Sequence, residues 1–210
     1  MKYFLGQTSI RVNLCIMMLV WLITSFNYYL IQFLINTFDQ IYTTAIFSSI
    51  SEVIGIFAGG ALYQYCGVRG SLSISFGLAL FGATLILLYG LAHQDLWVFP
   101  VMILIAKFGV SSAFNICYVS HSDVFPVLFS ATALGICNFV TRVFTGVSPI
   151  LAQMDEPYPM ITFLMLSLVG VVIVWGIRQG QDIGPILPPK LHEIRPDKLK
   201  KRHVELAKKE

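Results

Sequence analysis

The sequence predicts an all-α membrane protein with six transmembrane helices, and three observations support this fold class. Of the 210 residues, 56% are apolar and only 12% are charged, whereas a soluble domain carries about 25% charged residues. The apolar residues form long runs, and about 20 consecutive apolar residues suffice for a helix that crosses the bilayer. The sequence also lacks the ten-residue stretches of strong polar–apolar alternation that are typical of a transmembrane β-barrel.

Six apolar runs are the candidate transmembrane helices. In chain order they are Val12–Ile35, Thr43–Tyr65, Ser71–Ala92, Leu96–Val119, Ala131–Ala152 and Met160–Ile177. The first run is too long for a signal-peptide core and has no small-residue cleavage site, so it is predicted to be a span of the mature protein. The first, third and sixth runs contain no charge, and the sixth is short. The other three runs contain one ionisable side chain each.

The connections between these runs predict the orientation in the membrane. If the N-terminus is cytoplasmic, twelve Lys and Arg residues lie on the cytoplasmic side, none lies outside, and two lie within the membrane. This distribution follows the positive-inside rule, so we expect a multi-pass protein with both termini in the cytoplasm. The domain prediction is a six-helix transmembrane half-domain, residues 1–177, followed by a Pro-containing basic cytoplasmic tail, residues 178–210.

The tail carries the basic excess of the chain. It holds nine of the fourteen Lys and Arg residues and five of the eleven acids. Pro188 and Pro189 favour an extended linker. The basic segment from Lys198 to Lys209 could form a surface helix near anionic lipid, but a solvated, disordered tail is the favoured interpretation.

Glu52, Lys107 and Arg142 are the ionisable residues deep within the runs. A charged group that faces hydrocarbon costs several kcal/mol, so these three should face one another, a cavity or water. One interpretation is a ligand site, in which Glu52 compensates one of the two cations across a cavity. The other is a structural buried pair, which fixes the packing of helices and need not add stability. The residues alone do not favour either interpretation.

Aromatic residues accompany these charges. Tyr28 and Tyr29 lie in the first run, and Phe114 and Tyr118 follow Lys107 at offsets of seven and eleven, which keep them on its helix face. Such rings can hold a cation or the flat apolar part of a ligand. The alternative is that the rings face lipid or serve packing, and this is the favoured interpretation for Trp21.

Other motifs give weaker information. The Gly55-Ile-Phe-Ala-Gly59 pattern fits either dimerisation or close packing within the chain. The four cysteines, Cys15, Cys66, Cys117 and Cys137, form no Cys-x-x-Cys motif, so they are interpreted as buried, small hydrophobic residues, and neither a metal site nor a disulfide framework is expected. No Gly-rich phosphate loop follows a strand, so nucleotide hydrolysis has no support. The sequence also lacks the motifs of an intramembrane enzyme, and we expect no enzyme activity, no cofactor and no nucleic-acid partner.

Four groups of residues, in register along the chain, resemble the organic cation, anion and carnitine transporters of the major facilitator superfamily. The resemblance runs from Arg11 to about Ile177 and implies that the chain is the C-terminal half of such a carrier. The matching groups are Trp21-Leu-Ile-Thr-Ser-Phe-Asn-Tyr28-Tyr29, Ser51-Glu52-Val-Ile-Gly55, Ala106-Lys107 with Asp123-Val-Phe-Pro126, and Gly135-Ile-Cys137 with Arg142 and Ser148-Pro149.

The resemblance implies that one set of side chains lines a central cavity and binds a small organic ion. That set is Tyr28, Tyr29, Lys107, Phe114, Tyr118 and Arg142. In this family the two cations would set the charge preference, which favours organic anions or zwitterions, while Glu52 acts in the opposite sense. The resemblance implies alternating-access transport, as a secondary carrier or a facilitator, within a lipid bilayer.

The chain also departs from the family pattern. Arg69 is the single base in a loop that usually carries a cluster of arginines, and Ser130 stands where the family has an arginine after its Phe-Pro. The family has twelve helices, so a missing N-terminal half, a second copy or a partner subunit is expected to complete the carrier. The alternative function is a structural or regulatory membrane subunit that derives from a transporter and does not transport.

Overall fold

The computed structural model describes residues 8–35, 41–90, 98–125, 127–155 and 157–177. Within these ranges the chain forms helices joined by turns, and no β-strand occurs. The helices are α1 (Thr8–Leu34), α2 (Ile41–Leu85), α3 (Val98–Val124), α4 (Val127–Thr145), α5 (Ser148–Ala152) and α6 (Tyr158–Val174), with a π-helical segment, Ile86–Gly90, after α2. The predicted basic tail lies outside the described residues.

Four helical segments in the described ranges are long and apolar enough to cross a membrane. They are Ile10–Leu34, Tyr42–Tyr89, Val98–Val124 and Ser130–Ala152. Helix α6 is apolar but only 17 residues long. The predicted class, an all-α multi-pass membrane protein, is therefore confirmed. The count of six spans stays a prediction, because the second predicted run and most of the third lie within the single helix α2, and the last run is short.

Gly67 interrupts α2 in the middle. The helix has 45 residues, so a straight α2 would be about 68 Å long, roughly twice the thickness of the hydrocarbon core. Gly67 has φ 66° and ψ −174°, outside the helical region, and it is the one positive φ among the described residues. It divides α2 into an N-terminal arm, residues 41–66, and a C-terminal arm, residues 68–85. The second and third predicted runs fall on these two arms.

Helix α3 packs against both arms of α2 through small residues. On the N-terminal arm, a Cβ on Gly55 would lie 3.0 Å from the carbonyl oxygen of Phe108, and one on Gly59 would lie 2.9 Å from that of Ser112. On the C-terminal arm, a Cβ on Gly82 would lie 2.5 Å from the backbone nitrogen of Ala106. The Gly55–Gly59 pattern therefore serves close packing within the chain, one of its two interpretations.

Helices α1 and α6 complete the described packing. Asn27 of α1 donates hydrogen bonds to the carbonyl oxygen of Phe163 and to Ser167 Oγ of α6, at 3.4 and 2.9 Å. Helix α4 packs on α1, and its other face carries exposed apolar side chains such as Phe139 and Val143. The fold thus brings α1, the N-terminal arm of α2, α3 and α4 around one another, and the candidate site lies among them.

The cysteines divide into two kinds. Cys117 and Cys137 are buried, as expected for small hydrophobic residues, whereas Cys15 and Cys66 are exposed. Burial was therefore the wrong expectation for these last two residues. Cys15 lies on the outer face of α1, and Cys66 precedes the break at Gly67.

Candidate functional site

Lys107 lies on α3 with its side chain entirely buried. Its ammonium nitrogen donates a hydrogen bond of 2.8 Å to Gln32 Oε1 of α1 and lies 3.8 Å from Glu52 Oε2 of α2. The same nitrogen lies 3.7 Å from the centre of the Tyr28 ring. The cation is thus surrounded by an amide oxygen, a carboxylate and an aromatic face, which together replace its hydration shell.

Glu52 connects this lysine to α1. Its Oε1 accepts a hydrogen bond of 2.5 Å from the Tyr28 hydroxyl, while its Oε2 faces Lys107. The Glu52 side chain is 32% exposed, in contrast to the fully buried lysine. The acid therefore compensates Lys107, one of the two cations that the sequence analysis considered. A single ion pair and its hydrogen bonds join three helices.

Arg142 occupies a different environment on α4. It is exposed, it donates a hydrogen bond to the Tyr29 hydroxyl, and its guanidinium carbon lies 5.4 Å from the centre of the Tyr29 ring. Within the part of the chain that the structure describes, no carboxylate lies at ion-pair distance from Arg142. A guanidinium in this position keeps most of its planar hydrogen-bond donors available for a carboxylate.

Aromatic rings form a continuous surface between the two cations. Tyr28 contacts Tyr29 edge-on, with ring centres 5.4 Å apart, and stacks on Phe114 at 5.1 Å. Phe114 in turn contacts Tyr118 at 5.3 Å. The structure thus brings all six predicted site residues, together with Glu52, into one connected cluster. Their role in binding a substrate stays a prediction.

Trp21 packs against the aromatic members of this cluster on its buried side. It is only 1% exposed, and its ring lies 4.6 Å from that of Tyr118, 5.0 Å from His121 and 6.1 Å from Phe114. His121 is also buried, and its Nδ1 is 2.8 Å from the carbonyl oxygen of Cys117. Trp21 is therefore a packing residue, which is one of the two roles in its favoured interpretation, and it does not face lipid.

Gln32 is the cluster member that the sequence analysis missed. It lies four residues after Tyr28, one turn further along the same face of α1, and it holds the ammonium of Lys107. An amide near the end of an apolar span was the available signal, because a polar side chain there needs a partner. That signal does not name the partner, which lies 75 residues away.

The cluster has the chemical features of a site for an organic ion. Two cations and one carboxylate leave one net positive charge, carried by the exposed Arg142. The neighbouring rings of Tyr28, Tyr29 and Phe114 can contact a flat or apolar group, and the partly exposed Glu52 can accept a cationic one. Such a surface can orient a small molecule that carries both charge and apolar area.

Comparison with known proteins supports the resemblance seen in the motifs. No family model matches the chain. It is 23% identical over 180 residues to mouse (Mus musculus) solute carrier family 22 member 4, covering 84% of this chain and 32% of that protein. It is 24% identical over 191 residues to human (Homo sapiens) organic cation/carnitine transporter 2, covering 89% and 33%.

Bovine (Bos taurus) solute carrier family 22 member 6 is 26% identical over 204 residues, which cover 94% of this chain and 36% of that protein. The chain thus spans about a third of the length of the curated relatives that it matches. Over nearly its whole length, this chain resembles part of the solute carrier family 22 transporters, the organic cation, anion and carnitine transporters of the major facilitator superfamily.

Proposed function

We propose that the chain is the C-terminal six-helix half of a carrier that moves small organic ions across a membrane by alternating access. Two findings support this proposal: the similarity to solute carrier family 22 transporters, and the cluster of charged and aromatic side chains between α1, α2, α3 and α4. The single observation that carries the proposal is Arg142, an exposed cation that lies against Tyr29 without a carboxylate partner among the described residues.

Each member of the cluster has a proposed role. Arg142 binds the carboxylate of an organic anion or zwitterion, because its planar donors can grip two oxygens at once. Tyr28, Tyr29, Phe114 and Tyr118 form the wall against which the organic part lies. Lys107 and Glu52 both contact Tyr28 and adjust the net charge of the site.

The exposed face of the cluster is expected to be buried by further protein. Facilitator carriers place their substrate site near the middle of the bilayer, between two halves that rock about it. Arg142 and Gln32 are exposed in this chain, and a membrane charge is expected to face protein or a water-filled cavity rather than lipid. We propose that an N-terminal half, a second copy or a partner subunit covers this face, with both termini of this chain in the cytoplasm.

Uptake by the full-length product of the gene, reconstituted in lipid vesicles, tests the proposal. Benzoate and choline serve as the anionic and cationic probes. We expect uptake of benzoate to exceed that of choline and Arg142→Ala to abolish the difference. Asp155→Asn is the matched control, because Asp155 is exposed and lies in the turn before α6, away from the cluster. Equal uptake by wild type, Arg142→Ala and protein-free vesicles would contradict the proposal.

A structural or regulatory membrane subunit without transport is the second candidate function, and two observations favour it. Lys107 is fully buried by its neighbours, as in a pair that fixes helix packing. Arg69, the one base between the predicted second and third runs, donates to the carbonyl oxygen of Ile177 at 2.7 Å and so serves an internal contact. This function predicts that changes at Lys107 and Arg142 alter protein stability or partner binding and leave vesicle uptake at background.

A further inference from the structure

Building on the organic-ion site proposed above, we propose that Gln32 is a second ligand-binding residue of that site, whose amide nitrogen donates a hydrogen bond to an uncharged acceptor on the ligand. The ligand class that follows is an organic carboxylate with a carbonyl oxygen at the end remote from its carboxylate. Arg142 binds the carboxylate of such a ligand, and Gln32 binds its carbonyl group.

The orientation of the Gln32 amide is set by Lys107. The ammonium of Lys107 donates a hydrogen bond of 2.8 Å to Gln32 Oε1. An ammonium group has three donors and no acceptor, so the amide must turn its oxygen toward Lys107 and its nitrogen away from it. The two hydrogens on Nε2 therefore point away from the buried lysine, and Gln32 itself is exposed.

These Nε2 hydrogens are available to a ligand. Within the described ranges, the hydrogen bond that Gln32 accepts from Lys107 is its only one. Because Oε1 accepts from a cation, the amide is polarised, and its nitrogen becomes a stronger donor than that of an amide without such a partner. Lys107 is fully buried and does not reach a ligand itself, so it acts on the site through Gln32.

Gln32 lies on the face of α1 that carries the site. It follows Tyr28 by four residues and Tyr29 by three, which places the three side chains on neighbouring turns of one helix face. Tyr28 stacks on Phe114, and Tyr29 contacts Arg142. An exposed amide that faced lipid would lose its hydrogen bonds to water, so we expect Nε2 to face the same cavity as Arg142. The site then offers two exposed donor groups beside one pair of tyrosine rings.

The charges of the cluster favour an uncharged acceptor at Gln32. Lys107, Arg142 and Glu52 together carry one net positive charge, which the ligand carboxylate on Arg142 neutralises. A second carboxylate would add an unbalanced negative charge within the membrane. It would also lie near Glu52, since Glu52 and Gln32 contact the same ammonium, at 3.8 and 2.8 Å. A carbonyl oxygen accepts the same hydrogen bond and adds no charge.

Two probes of nearly equal shape test the inference. 4-Acetylbenzoate has a ketone oxygen at the end opposite its carboxylate, and 4-isopropylbenzoate has a methyl group in place of that oxygen. The full-length gene product, in lipid nanodiscs, binds radiolabelled benzoate, and displacement of the label by each probe gives the affinity of the probe. We expect wild type to prefer the acetyl probe. Terephthalate, which has a second carboxylate in place of the acetyl group, should bind more weakly than 4-acetylbenzoate.

Two substitutions at Gln32 separate ligand binding from the contact with Lys107. Gln32→Met removes donor and acceptor together, and it should lower the ratio of acetyl to isopropyl affinity by roughly three- to tenfold, the range of one neutral hydrogen bond. Gln32→Glu keeps an oxygen for Lys107 but has no outward donor, so it should lower the ratio at least as much. Both probes carry one negative charge, so a general loss of anion affinity in this variant cancels from the ratio. If Gln32→Met does not fold, Gln32→Glu carries the comparison.

Gln64→Met is the matched control. Gln64 is an exposed glutamine on the N-terminal arm of α2, twelve residues after Glu52 and therefore about 18 Å further along that helix. The same substitution there should leave the ratio of the two affinities as it is in wild type. A fall of the ratio in this control equal to the fall in Gln32→Met would contradict a specific contact at Gln32.

The outcomes separate this inference from the proposed function. If benzoate binding depends on Arg142, but the ratio of probe affinities is the same in wild type and in Gln32→Glu, the role of Gln32 is overturned and the organic-ion site stands. Tighter binding of terephthalate than of 4-acetylbenzoate by wild type overturns the choice of an uncharged acceptor. Absence of binding of benzoate and of every probe to wild type overturns both the role of Gln32 and the proposed organic-anion site.

Discussion

Gly109 of α3 lies so close to α2 that a Cβ on it would come within 2.4 Å of the backbone nitrogen of Ala79. The same Cβ would lie 2.6 Å from the carbonyl oxygen of Ser75. Backbone atoms of a packed helix cannot move aside as a flexible side chain can, so glycine is the residue that this helix contact requires. Because Gly109 lies two residues after Lys107 on α3, this contact fixes the position of Lys107 along the axis of α2.

The first prediction concerns this contact. Gly109→Ala should lower the free energy of unfolding by about 1–3 kcal/mol, because the added methyl group forces the two helices apart. Denaturation of the purified protein in detergent measures the effect. Gly77→Ala is the matched control on α2, where a Cβ would meet nothing within 4 Å. Equal stability of the two variants would contradict the packing of α3 against α2.

The second prediction concerns the break in α2. Gly67→Ala should lower stability by about 1–2 kcal/mol, because a residue with a Cβ is strained at φ 66°. Gly135→Ala, at a helical position with open space, serves as control. If Gly67→Ala is as stable as this control, then Gly67 does not hold a positive φ in the membrane.

The third prediction concerns the exposed cation. Arg142→Lys should reduce benzoate binding by at least about tenfold, because an ammonium cannot grip a carboxylate in two places. Protein level and thermal stability should change little, as expected for an exposed side chain. Binding that survives this substitution would show that the geometry of the guanidinium is not used.

The fourth prediction concerns the buried ion pair. Lys107→Met should lower the free energy of unfolding by about 2 kcal/mol, less than a fully buried pair would lose, because Glu52 is partly exposed. Combining it with Glu52→Gln should restore at least half of the loss, since no unpaired charge then remains. A double-mutant cycle in detergent measures this coupling. Additive effects of the two changes would show that the pair does not act as a unit.

The helices were largely predictable from the sequence. The first predicted run, Val12–Ile35, agrees with α1 within four residues at its start and one at its end. The fourth run, Leu96–Val119, agrees with α3 within two residues at its start and five at its end. Long apolar runs identify membrane helices because backbone groups in lipid must be satisfied within the helix. The break between the two arms of α2 also falls where the sequence places a connection, because Gly67 lies in the gap between the second and third predicted runs, residues 66–70. The shortness of that break, a single glycine in an otherwise continuous helix, was not predicted.

The residues of the candidate site could be predicted from the sequence, but the contacts between them were less predictable. Lys107 and Arg142 stood out because charges are rare in apolar runs, but which of them Glu52 compensates depends on how α2 and α3 pack. That packing is set by glycines such as Gly109, whose role emerges only when two helices are placed side by side. Gln32 was missed for the same reason, because its partner lies on another helix.

Trp21 also gives the protein an intrinsic optical reporter. Its indole is buried against Tyr118 and His121, directly behind the candidate site, so its emission should be that of an apolar environment. Trp175, by contrast, is 66% exposed at the end of α6. With Trp97 and Trp175 replaced by phenylalanine, the fluorescence of Trp21 would follow rearrangements of the aromatic wall in real time, without a label attached to the protein.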